Sequence, residues 1–143
     1  MPPLLRRTAA VFFFGLLSTP LLAETLSFTA HLSTASEVPM KSGTGQGEVS
    51  AHLNTTTSLL DYTITYTGLS GPATAAHFHG PAGPMETAGV AVKIGGDLSS
   101  PIRGSATLTP EQVSDLKKGS WYVNVHTRLN PSGEIRGQLT PGH

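Results

Sequence analysis

The chain is 143 residues long, with 9 Lys and Arg against 9 Asp and Glu, 16 Gly, 11 Pro and no Cys, which is the size of one ordinary domain. Its charge balance excludes a basic nucleic-acid binder and an acidic disordered tail. The lack of cysteine excludes disulfides, thiol nucleophiles, iron–sulfur clusters, Cys-type zinc sites and thiolate copper centres. Only 13% of the residues are charged while Thr, Ser and Gly are abundant, a balance that favours short strands and turns over amphipathic helices.

Residues 1–23 read as a secretory signal peptide. Arg6 and Arg7 precede the apolar run from Ala9 to Leu17, and Ser18 to Ala23 form an end region with Ala23 at the expected cut. The run is too short for a membrane span of about 20 residues. Export is therefore expected, to the periplasm or the medium, with a domain covering 24–143. That segment keeps all nine acids and lacks Arg6 and Arg7, so its formal charge is −2.

Beyond the leader, Leu26, Phe28, Ala30 and Leu32 alternate with Thr25, Ser27, Thr29 and His31, the period of a half-buried strand. The pattern recurs with Val49, Ala51 and Leu53 against Glu48, Ser50 and His52, and with Leu60, Tyr62, Ile64 and Tyr66 against Asp61, Thr63 and Thr65. His31 and His52 fall on the wet faces, and His143 lies on a terminal tail. Residues 74–79 form a further strand, Val90, Val92 and Ile94 another, and Gly104 to Leu108 a weaker one. Thr109 then supplies an N-cap, Pro110 the first helical position and Gln112 the capping-box position, which predicts a short connector helix closed by Gly119. Trp121, Val123 and Val125 alternate with Tyr122, Asn124 and His126. A last strand, from about Glu134 to Leu139, turns Ile135 and Leu139 inward and Glu134, Arg136 and Gln138 outward. Turn clusters at 41–47, 68–72, 80–84, 95–97 and 130–133 separate the runs. The whole predicts an all-β Greek-key sandwich of about eight strands in two packed sheets, with one short connector helix.

Chemistry concentrates in Ala75-Ala-His77-Phe-His79-Gly-Pro-Ala82. On a strand, His-x-His puts both imidazoles on one face and Phe78 on the other. The core then claims Phe78, and by the same parity His126 leaves the core face of its own strand. If the two strands meet, His77, His79 and His126 converge, a ligand set that suits copper or, second, zinc. On spacing alone the competing reading is three surface histidines. Met40 and Met85 sit in Gly/Pro-flanked loops, either packed locally or offering a thioether to Cu(I). Glu134 and Arg136, at i and i+2, read as an exposed ion pair worth about 0 to 1 kcal/mol. Glu134 is alternatively an acceptor that orients a ligand histidine, and Asn124 an equally placed donor to one.

Three segments together resemble the CHRD domain, the module named after chordin and found in many exported bacterial proteins: residues 76–82, the stretch Tyr122-Val-Asn-Val-His-Thr127, and Asn130-Pro-Ser-Gly-Glu-Ile-Arg-Gly-Gln-Leu139, with Glu37-Val-Pro39 also fitting. The resemblance runs from about Leu26 to Leu139. It implies an immunoglobulin-like sandwich with distant similarity to Cu,Zn superoxide dismutase. On that comparison His77 and His79 are similar to the dismutase His-x-His copper pair, and His126 to its late copper ligand. No bridging histidine or His/Asp-rich zinc loop is recognisable, and the dismutase disulfide is impossible here. The expected function is therefore copper binding through His77, His79 and His126 and metal handling outside the cytoplasm, without catalysis. The competing class is a structural or interaction module that recognises an extracytoplasmic protein or matrix component, and a dismutase-type redox enzyme is the weakest reading.

Overall fold

Phe28, Ala30 and Leu32 are buried along β1 (Thr25–Ser33) while His31 between them is exposed, so the alternation of the sequence becomes an alternation of burial. The computed structural model describes residue 15, residues 18–20 and residues 22–142. Most of the expected signal peptide, and His143, lie outside the described residues. Among the described residues no helix is long and apolar enough to cross a membrane.

After β1 a 3-10 turn at Thr34–Ser36 leads to β2 (Gln46–Asn54), β3 (Leu59–Thr67), β4 (Ala73–His79), β5 (Val90–Ile94), β6 (Ile102–Thr107), α1 (Pro110–Lys117), β7 (Tyr122–Thr127), β8 (Ile135–Gln138) and the two-residue β9 (Thr140–Pro141). The strands pair in the order β5-β4-β7-β8-β1-β2-β3-β6, with β9 on β1. All of these pairs are antiparallel. The ladder is thinnest between β8 and β1, where the register holds the single pair Arg136 and Ser33. There the sheet folds over, so β5-β4-β7-β8 faces β1-β2-β3-β6, and the Tyr62 and Phe78 rings meet across the interior at 5.0 Å between centroids. Gly137 permits the fold, since a Cβ at that position would collide with the carbonyl of His31. The connections β3–β4, β5–β6 and β6–β7 cross between the layers, which is the expected sandwich with its Greek-key path.

Trp121, Phe78, Leu53, Leu60, Ile64, Ile135 and Leu139 fill the single core. Helix α1 carries the predicted capping box: Thr109 accepts from the Gln112 N–H, and the Gln112 side chain accepts from the Thr109 N–H. Val90 departs from expectation. It is exposed at the start of β5, beyond the register shift between Phe78 and His79, on a strand at the edge of the sheet.

The outer face of β7 and β8 departs further from expectation. Parity holds, with Val123, Val125 and Ile135 inward, yet every residue of β7 is buried, and so are Glu134 and Arg136. Two loops cover that face. Arg136 Nη2 donates to the carbonyls of Gly83 (3.0 Å) and Glu86 (2.7 Å), and Gln138 Nε2 donates to that of Ala82 (2.8 Å). Residues 128–133 close over the other end. Glu134 and Arg136 are thus not an exposed ion pair, and each serves a different loop.

Candidate metal site

β4 and β7 lie side by side with His77 opposite Asn124, His79 opposite Tyr122 and Ala75 opposite His126. Because Phe78 is drawn into the core, His77 and His79 both emerge on the outer face, as does His126 from β7. The three rings gather there. One ligand atom from each lies within 4.8 Å of the others. The ring centroids of His77 stand 5.5 Å from His79 and 4.9 Å from His126. His79 and His126 are buried and His77 is partly open.

Hydrogen bonds from the covering loops set the ring orientations. His79 Nδ1 lies 3.0 Å from the carbonyl of Ala88, and His126 Nδ1 lies 2.8 Å from that of Pro131. A carbonyl only accepts, so both rings carry their proton on Nδ1 and turn an unprotonated Nε2 inward. Both Nε2 atoms approach Asn124 Oδ1 at 2.9 Å. The amide nitrogen of Asn124 faces the other way, donating to the carbonyl of Ser132 at 3.4 Å. His77 Nδ1 completes the group, 3.0 Å from His126 Nε2.

Because His126 Nε2 is unprotonated, its contact with His77 places a proton on His77 Nδ1 and leaves the Nε2 lone pairs of His79 and His126 facing the cluster. Burial first, then the charges of His126, His79 and Lys93, hold the His77 pKa below the usual histidine value. Burial lowers that of His126 too, outweighing the Pro131 carbonyl, and His79 adds to the lowering. Neutral imidazoles with inward lone pairs are what a metal ion requires. Metal–nitrogen bonds of about 2 Å place ligand atoms about 3 to 4 Å apart, so three donor atoms within 4.8 Å of one another could hold a metal ion after the rings draw together.

His79 stacks on Tyr122 at 4.7 Å with rings 4° from parallel, and the Arg136 guanidinium carbon sits 3.5 Å over the Tyr122 ring. Sequence reasoning placed Tyr122 and Arg136 on this face but missed the stack, along with the orienting carbonyls of Ala88 and Pro131, because loop backbone leaves no periodic signal. Glu134 does not orient a histidine. It accepts from Ser70, Thr127 and Asn130. The Asn124 amide group meets both rings, 2.9 Å from each Nε2. His31 and His52 are exposed and remote from the cluster, His31 lying 2.6 Å from Glu48.

Glu37 lies behind Asn124. It is buried, and Gly133, at φ 125°, makes room for it, because a Cβ there would collide with both Glu37 Oε1 and Asn124 Nδ2. Burial pushes the Glu37 carboxyl up to about 7, against the pull of Arg136 and of the Asn124 amide. A pKa raised on folding means that stability is lost as pH rises from about 4.5 to about 7. Glu37→Gln should accordingly stabilise the chain by about 1–3 kcal/mol at pH 8. In urea unfolding the gain should vanish at pH 4, and a gain that persists there would show that ionisation is not its source.

The profile of the CHRD domain family matches residues 28–139. The chain belongs to the CHRD domain family. The match runs from within β1 to just past β8, including all three clustered histidines. No curated protein and no solved structure matches the chain.

Proposed function

We propose that this CHRD domain is an exported copper-binding protein, holding one ion through His77 Nδ1, His79 Nε2 and His126 Nε2, and that it handles metal outside the cytoplasm. The observation that carries this reading is the pair of loop carbonyls, from Ala88 and Pro131, that turn two buried imidazole lone pairs toward a third imidazole and the Asn124 oxygen. With His126 Nε2 unprotonated, His77 Nδ1–H donates to it in the metal-free chain, and an ion taking these nitrogens displaces that one proton. Imidazole suits both copper and zinc, and for one set of such ligands Cu(II) binds more tightly than Zn(II). Zinc is the second choice at the same atoms. Export rests on the leader-like pattern of residues 1–23.

Equilibrium dialysis of the untagged chain against Cu(II) and Zn(II) at pH 7.5 tests the reading. About one equivalent of copper should be retained, and the His77→Ala, His79→Ala double variant should retain almost none. Equal, weak retention by both proteins sinks the reading and leaves the interaction module as the better description of this domain.

A further inference from the structure

Every sulfur atom from residue 24 onward belongs to Met40 or Met85, since the chain has no Cys and its third Met is Met1. These two side chains are 71% and 83% exposed, although methionine ordinarily fills core gaps. They come from loops 45 residues apart in sequence, yet both line one cavity of about 430 Å³ on the outer face of β8. We propose that Met40 and Met85 form a second metal site, specific for a soft monovalent ion, Cu(I), held between their two thioether sulfurs.

The surroundings support a built site over two stray surface residues. Met85 sits in a loop held on both sides of it, at Gly83 and Glu86, by the buried Arg136, with Gln138 fixing Ala82. Arg136 and Gln138 are also lining residues of the cavity. Across it, Met40 follows Glu37, Val38 and Pro39, which line the same wall. The backbone beside Met40 is tied by the Lys41 N–H, which donates to the Thr34 carbonyl at 3.0 Å, while the unbranched side chains keep three rotatable bonds with which to meet across the opening. Thioether sulfur is a poor ligand for hard or borderline divalent ions and a good one for Cu(I). The site therefore differs in kind from the imidazole cluster and does not depend on it. The two are neighbours through one loop, whose residue 85 faces the cavity and whose residue 88 orients His79.

Titrating the purified chain, labelled at the methionine methyl groups, with Ag(I), a redox-inert substitute for Cu(I), tests the proposal. The Met40 and Met85 methyl signals should move together along one isotherm that saturates at one ion, and Cu(I) under reductant should reproduce it. Met40→Leu, a volume-conserving change at an exposed position, should raise the Ag(I) concentration needed to shift Met85 by at least tenfold. Unmoved signals, or a Met85 titration unchanged in Met40→Leu, overturn the shared site. The His77→Ala, His126→Ala variant should keep the methionine shifts in full. If they disappear there, the sulfurs form no site of their own, whereas their loss in Met40→Leu alone leaves the histidine reading untouched.

Discussion

Glu134→Gln should lower the unfolding free energy by about 2–4 kcal/mol at pH 7, because it removes the charge and turns one of the two oxygens that four donors share into an NH2 group, itself a donor. The Ser70 N–H, the Ser70 and Thr127 hydroxyls and the Asn130 amide all point at this one buried carboxylate. Burial alone raises the Glu134 pKa, but these hydrogen bonds outweigh it and hold the carboxyl down to about 2. A pKa depressed on folding contributes stability above the ordinary value of 4.5, and that contribution is lost as pH falls from there toward 2. Urea unfolding of the two proteins should therefore differ widely at pH 7 and converge near pH 2. Equal midpoints at pH 7 would show that the loop from Gly68 to Pro72 and the turn after β7 do not need this carboxylate.

His126→Ala should weaken Cu(II) binding by more than about 100-fold, beyond the 10- to 100-fold that loss of an outer partner costs. Protons compete with the ion for the same nitrogens. Since His77 and His126 both titrate below the usual 6.5, affinity should hold nearly level from pH 7.5 to about 6.5 and then fall ever more steeply, toward three protons taken up per ion released. In His126→Ala the limiting uptake should drop by one proton. A chelator competition that stays flat down to pH 4.5, or a variant with the wild-type slope, removes His126 from the ligand set.

Strand parity carried most of the fold. It placed Phe78, Trp121, Val123 and Val125 inside and the three histidines together on the other side, and the Thr109 capping box stands as its residues predict. What parity could not supply was the state of the outer face. Alternation distinguishes two faces of a strand but not whether the second face meets water or another segment. Here residues 80–89 and 128–133 cover it, held by contacts such as Arg136 to Gly83 that span 53 positions. Glu134 and Arg136, which read as a marginal surface pair, are consequently deep supports, and Asn124 and Tyr122 are packed around the histidines. The two carbonyls that fix the imidazole protons were illegible for a simpler reason: every residue has a carbonyl, and only the folded loop shows where it points.

Long-range 1H–15N correlation of the histidine rings reads directly which nitrogens carry protons and which converge on a metal ion. At pH 7.5 the metal-free chain should show His79 and His126 protonated at Nδ1 and bare at Nε2. One equivalent of Zn(II), a diamagnetic probe, should then shift Nδ1 of His77 and Nε2 of His79 and His126 together, with His31 and His52 unmoved. Protonation of His79 or His126 at Nε2, or zinc-induced shifts confined to His31 and His52, would contradict the account.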